Sequence, residues 1–251
     1  MRAYYNEIDP YAAQWIRNLI KAGHVTDGEV DERSIIDVVP ADLRGFDRCH
    51  FFAGVAVWDY ALGLARWGDA PVWTGSCPCQ PFSAAGKGGG FDDERHLWPA
   101  FFHLIRECRP ATVLGEQVAS KDGLGWLDLV HADLEGEGYA VGAADLCAAG
   151  VGAPHIRQRL WFVADAGGYG LSAGEVGREI SESEKHRGMF KFEGSFTETI
   201  ACRDGKARPC EPGFVPWVDV SPQVLGRLRA YGNAINAEAA RCFIGAVMDG
   251  R

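Results

Sequence analysis

No run within the 251 residues approaches the roughly 20 consecutive apolar positions that a bilayer-spanning helix needs. The opening residues, Met1-Arg2-Ala3-Tyr4-Tyr5-Asn6-Glu7, also lack the charged-then-apolar pattern of a secretory signal, so a cytoplasmic protein without membrane association is expected. Positive charge is scarce. Against 34 Asp and Glu stand 25 Lys and Arg, a net charge of -9, so any surface that binds phosphate must be local. Zinc-hook spacing is missing as well: Cys77-x-Cys79 is too tight, and Cys202 and Cys210 have no second close pair or His pair beside them. No metal is expected, and the eight cysteines read as reduced thiols. Internal repeats and low-complexity tracts are absent. What remains, with 47% hydrophobic and 24% charged residues, is an ordinary globular chain long enough for one catalytic domain and a small appendage.

Strand-like and helix-like segments alternate through the first two thirds. Ala3 to Ile8 reads as a strand and Pro10 to Ile20 as a helix with proline in its first turn. Ser34 to Val39 is β-branched and predicts a second strand; His50 to Gly54 predicts a third, turning into a helix over Trp58 to Trp67. Val72-Trp73-Thr74, Ala111 to Leu114, Ala140 to Leu146 and Leu160 to Ala164 continue the strands, with helices over Pro99 to Cys108 and Trp126 to Glu137. The alternation implies an α/β fold, a doubly wound and mostly parallel sheet with functional residues at the strand ends. Residues 1–165 are expected to form the catalytic domain and 166–221, where periodicity fades, a small irregular lobe. Residues 222–251, with a helix over Ala237 to Met248, return to the main domain.

The segment Gly75-Ser76-Cys77-Pro78-Cys79-Gln80-Pro81-Phe82-Ser83 holds a thiol between two prolines, which fix the backbone and remove two amide donors. Gly86, Gly88, Gly89 and Gly90 follow it and give hinge freedom. The pattern is that of a catalytic loop presenting a nucleophile. Three further clusters follow in order: Glu116-Gln117-Val118 after a strand, His155-Ile156-Arg157-Gln158-Arg159 before one, and Gly232-Asn233-Ala234 near the end.

This order resembles the DNA (cytosine-5)-methyltransferases. The family's loop Pro-Cys-Gln-x-Phe-Ser is matched without departure from Pro78 to Ser83, and its later acid and arginine by Asp93 and Arg95. Glu-Asn-Val becomes Glu116-Gln117-Val118, and Gln-x-Arg-x-Arg becomes His155-x-Arg157-x-Arg159. The resemblance implies a compact phage or bacterial enzyme of the kind found in restriction-modification, with a Rossmann-like fold that uses S-adenosyl-L-methionine. It implies a Cys79 thiolate that adds to carbon 6 of cytosine, Glu116 at the exocyclic amine and ring nitrogen 3, and Arg159, assisted by Arg157, at the carbonyl of carbon 2. Because carbon 6 is stacked inside a duplex, the base must be flipped out.

On the cofactor side the family's Phe-x-Gly-x-Gly-Gly is represented by Phe52-Ala53-Gly54-Val55-Ala56-Val57, where Ala56 reads as tolerable and Val57 as narrowing the turn. The family's ribose-binding acid resembles Glu7, followed by Ile8 for adenine packing, but both precede Phe52, so the order is permuted. Ser34 stands where the family often has an acid, and Pro78, Asn233 and Ala234 complete the implied cofactor contacts. Glu7 and Asp9 have a plainer reading as acids that start a helix. Double-stranded DNA is the implied partner of a monomer, contacted by Gln80, Ser83, Lys87, Arg95, Arg227 and Arg229. Acids outnumber bases in 166–221, so only a local stripe from Arg178 to Lys191 offers charge for recognition. Two alternatives keep part of this reading: a tRNA cytosine-5 methyltransferase, and a catalytically silent nucleic-acid-binding module with an impaired cofactor site.

Overall fold

The computed structural model describes residues 1–78, 97–153, 156–167, 198–201, 207–210 and 234–250. Its main sheet has seven strands, β1 (Ala3–Asn6), β2 (Gly28–Asp31), β3 (Arg48–Phe51), β4 (Val72–Gly75), β5 (Thr112–Val118), β6 (Ala140–Cys147) and β7 (Gln158–Asp165). They lie in the order β2-β1-β3-β4-β5-β7-β6. All pairs from β2 to β5 are parallel, and β7 runs antiparallel to both neighbours. Five helices are described in full: α1 (Pro10–Lys21), α2 (Val57–Leu64), α3 (Trp98–Cys108), α4 (Lys121–Gly136) and α5 (Ala237–Asp249). Beyond Ala166 and Gly167, an antiparallel pair, β8 (Glu198–Ala201) and β9 (Ala207–Cys210), is all that is described of the expected second lobe. No described helix is long and apolar enough to cross a membrane.

Register assigns the two faces of the sheet. Tyr4, Cys49, Trp73, Val113 and Ala164 are successive partners and share one core with Trp98, Phe101 and Leu104 of α3 and Trp126 and Val130 of α4. Tyr5, His50, Thr74, Leu114 and Val163 share the other face, beneath α1, α2 and α5. Helices therefore cover both sides, as a parallel sheet requires. On the first face Gly75 and Gly115 admit the rings of Phe101 and Phe162 so closely that a Cβ at either would collide with them.

Four crossovers share one hand, and one opposes them. The chain moves from β1 to β2 through α1 and back across the sheet from β3 to β4 through α2, with both helices on the same face. Opposite travel over one face means opposite hands. The crossovers through α3 and α4, and through the 3-10 turns Ile35–Asp37 and Pro40–Leu43, travel with α2 but on the other face, so they agree with α1. Since such connections are right-handed in about 98% of cases, β3–α2–β4 is the left-handed one.

A buried polar cluster lies beneath α2. Asp59 accepts from Arg48 Nη1 at 2.7 Å, from the Thr26 amide at 2.6 Å and from Thr26 Oγ1 at 3.0 Å. Its carboxylate also accepts from the Tyr5 hydroxyl at 3.2 Å and lies 3.3 Å from His50 Nε2. The His50 ring stacks on Tyr5 and reaches Thr74 through Nδ1. Helix α2, β1, β3 and β4 are thus joined where apolar packing alone would not fix register.

The expected second strand is corrected. Ser34 to Val39 forms no strand: Ile35–Asp37 is a 3-10 turn whose Ile36 amide donates to Ser34 Oγ, and β2 is Gly28–Asp31. Ile35 and Val38 are buried whereas Ile36 and Val39 are exposed, a three-residue period that alternation does not fit.

Candidate active site

The carboxyl ends of β1 to β5 converge on one edge of the sheet, where a doubly wound fold places its ligands. Glu116 and Arg159 meet there across the antiparallel β5–β7 ladder, which sets Glu116 opposite Trp161 and Val118 opposite Arg159. Arg159 Nε lies 2.7 Å from Glu116 Oε1, with the Glu116 side chain 9% exposed. Burial pushes the Glu116 carboxyl above its usual range, while Arg159, Arg157 and a hydrogen bond from Ser76 pull it back. The pair is a compact hydrogen-bonding station, an acceptor beside a donor, at the end of β5. Arg157 Nη2 donates to the Ala234 carbonyl at 2.9 Å, which ties the arginine segment to the chain entering α5.

The neighbouring strand β4 ends at Gly75 and leads into Ser76, Cys77 and Pro78. Cys77 is buried in the aromatic core, and burial raises its thiol far above the ordinary cysteine value. A thiol so placed is a small hydrophobe and no nucleophile. Cys79, Gln80, Ser83, Lys87, Arg95, Arg227, Arg229 and Asn233 lie outside the described residues.

The other half of the edge belongs to β3, β1 and β2. After β3 the chain turns through Phe52, Gly54 and Ala56, all with positive φ. A Cβ built on Gly54 meets no atom of the described residues within 4 Å, so among them this turn faces open space. Ala56 takes φ +60° at the N-cap of α2, whereas Val57 is the first helical residue and packs beside the α2–α5 core. Among the non-glycine residues of the turn, positive φ therefore falls on Phe52 and Ala56, while Val57 has helical backbone. Glu7, at the end of β1, accepts from the Gly54 amide at 2.6 Å and from the Asp9 amide at 2.9 Å. Burial raises its carboxyl, and these two amides lower it. Asp9, in contrast, caps α1 by accepting from Tyr11 and Ala12. The two acids thus separate into a helix cap and a carboxylate facing the β3 turn. Ile8 beside it is 65% exposed.

Ser34 follows β2 at the same edge, where the Arg33 carbonyl accepts from buried Asn6 at 2.8 Å. The structure thus brings Glu7, Ile8, Phe52 and Gly54 together around one turn, with Ser34 one strand further out, and Glu116, Arg157, Arg159 and Pro78 around β4 and β5. Sequence reasoning passed over Ser76 and Trp58. Trp58 Nε1 donates to Ser76 Oγ at 3.0 Å, a contact that no spacing pattern announces.

A doubly wound sheet with an acid–arginine pair two strands from an open glycine turn is a Rossmann-like methyltransferase fold. The C-5 cytosine-specific DNA methylase family model matches residues 68–201, just over half of the chain, and the chain belongs to that family. The match starts after β3, so β1, β2 and β3 lie outside it. Similar curated proteins include Type II methyltransferase M.HhaI of Haemophilus parahaemolyticus, 32% identical over 99 residues, 38% of this chain and 30% of that protein. Type II methyltransferase M.NgoMIV of Neisseria gonorrhoeae is 36% identical over 98 residues, 36% of this chain and 30% of that protein. The matched stretch thus spans less than a third of either relative. Among solved structures, S. pombe Dnmt2 methyltransferase aligns over 66% of this chain and 50% of its own, with TM-score 0.40 and 15% identity.

Proposed function

We propose that the chain is a DNA (cytosine-5)-methyltransferase that acts on a flipped-out cytosine through a covalent Cys79 adduct. The observation that carries this reading is the Glu116–Arg159 pair, held at 2.7 Å beside the strand that leads into Pro78-Cys79. Cytosine presents an amine and a ring nitrogen on one side and a carbonyl on the other, and an acid next to an arginine complements both. Cys79 adds to carbon 6, Glu116 stabilises the proton at nitrogen 3, and Arg159 holds the oxygen on carbon 2. Once carbon 5 carries the methyl group, loss of its proton to a base and departure of the thiolate restore the ring. Arg157 anchors this group to the segment before α5.

The open turn at Gly54, the Glu7 carboxylate and exposed Ile8 suit S-adenosyl-L-methionine: backbone close to the ligand, an acid for ribose hydroxyls and an apolar surface for adenine. Phe52, Gly54, Glu7, Ile8, Ser34, Pro78, Asn233 and Ala234 would hold it. When bound, it supplies an electrophilic methyl group. In this reading residues 1–165 with 222–251 form the catalytic domain and 166–221 the target-recognition lobe, while Gln80, Ser83, Lys87, Arg95, Arg227 and Arg229 contact double-stranded DNA.

The test is nucleoside mass spectrometry for 5-methylcytosine in genomic DNA and total tRNA from a host without cytosine-5 DNA methylation. The host expresses either the chain or its Cys79→Ser variant. A mark in DNA that depends on Cys79 is expected; a mark confined to tRNA reassigns the substrate, and none with soluble protein refutes the reading.

A further inference from the structure

Glu116 on β5 has Arg159 of β7 on one side and Ser76, which follows β4, on the other. Gly75 and Gly115 are register partners on adjacent parallel strands, so the next residues, Ser76 and Glu116, project to the same face, that of α2. There the Trp58 indole nitrogen donates to Ser76 Oγ at 3.0 Å. An indole N–H can only donate, so the serine oxygen is the acceptor and its single proton remains free for another acceptor. The Glu116 carboxylate, projecting beside it from the next strand, is the acceptor the register offers that proton, and Ser76 is among the groups that lower its carboxyl. With Glu116 as that acceptor, a relay of fixed direction would run from Trp58 through Ser76 to Glu116, on the side of β5 away from the 2.7 Å contact with Arg159. Trp58 is the second residue of α2, directly after the Phe52–Val57 turn.

We propose that Ser76 is a positioning residue for Glu116, and that through Trp58 it ties this acid to helix α2 and so to the turn on the cofactor side. Its purpose rests on the methyltransferase reading, but its geometry does not. The hydrogen bond favours the ionised carboxylate and fixes its plane, so the acid meets a base already oriented. Because α2 carries both Trp58 and the end of the turn, displacement of the turn is felt at Glu116 through two hydrogen bonds and no intervening loop.

The experiment is a carboxyl carbon NMR titration of the full chain labelled at glutamate, with Glu116→Gln to assign the resonance. In Ser76→Ala the Glu116 midpoint should rise, a three- to tenfold change in its ionisation constant, the worth of about one hydrogen bond. Ser76→Thr, which keeps the hydroxyl, should restore it. Trp58→Phe should move it the same way by less, and Ser76→Ala with Trp58→Phe no further than Ser76→Ala alone. An unchanged midpoint in folded Ser76→Ala, or a double variant whose shift is the sum of the singles, overturns the relay. If Ser76→Ala does not fold, Trp58→Phe decides, and an unmoved midpoint there is the negative result. Because the readout is the carboxyl itself, absence of 5-methylcytosine in cells would refute the proposed function and leave this result standing.

Discussion

Replacing Asp59 by Asn keeps the side chain's volume and removes its charge, which isolates what the buried cluster contributes. The Asp59 side chain is 2% exposed and that of Arg48 5%, so the substitution leaves a guanidinium in the interior without its counter-charge. Breaking one side of such a pair costs about 3–5 kcal/mol, because the surviving charge keeps its desolvation penalty. For a chain of this size that corresponds to a fall of roughly 6–20 °C in Tm, and to a lower urea midpoint at unchanged slope. Adding Arg48→Met removes the orphaned charge and should recover much of the loss.

The pH dependence has a definite sign. Burial alone would raise the Asp59 carboxyl, but His50, the Thr26 amide and Arg48 outweigh it and hold the group well below the usual carboxylate range. Its folded pKa is depressed, so its contribution is present above the unfolded value of about 3.9 and is lost as pH falls through the lower folded value. Urea melts of the natural chain should steepen in stability loss at strongly acid pH, and those of Asp59→Asn should not. A loss below about 1 kcal/mol at neutral pH, or an unchanged acid limb, would refute the reasoning.

Glu116→Gln should slow methylation by about 100-fold to 10,000-fold in a single-turnover assay while duplex binding persists; activity within tenfold of the natural chain would remove Glu116 from proton transfer. Because burial raises the Glu116 carboxyl in the folded protein, its contribution to stability is present below its unfolded pKa of about 4.3 and is lost as pH rises through the raised value. Stability of Glu116→Gln in thermal melts should therefore be flatter across that window. Val57→Gly should lower stability by about 1–2 kcal/mol, since it removes a half-buried side chain from the first turn of α2, and leave cofactor affinity by calorimetry within twofold. Tighter binding would return the crowding to Val57.

Most strands were legible because central parallel strands are nearly continuous apolar runs, as in Cys49-His50-Phe51 and Val113-Leu114. Gly28-Glu29-Val30-Asp31 gave no such signal: it is a half-exposed edge strand with a single large apolar residue. The β-branched Ser34 to Val39 gave a false one, since Ile35 and Val38 are buried at a spacing of three. The acid and the arginines were visible only through motif resemblance. Their contact comes from the antiparallel register of β5 and β7, elements with α4 and β6 between them in the chain. Asp59 stands on α2 and Arg48 and His50 on β3, and no spacing in the sequence links the helix residue to the strand pair. Their cluster exists only after folding.

The left-handed link through α2 has a consequence for how the domain can be divided. Every residue assigned to the cofactor side near β1, β2 and β3, namely Glu7, Ile8, Ser34, Phe52 and Gly54, precedes it, and the acid–arginine pair and Cys79 follow it. The sheet is thus two contiguous cassettes stitched at the β3–β4 ladder, where four residue pairs meet. A chain opened between Ala65 and Pro71 would yield one piece that carries the residues proposed for the nucleoside and another that carries those proposed for the reaction. Their reunion would then be read as the return of a single activity.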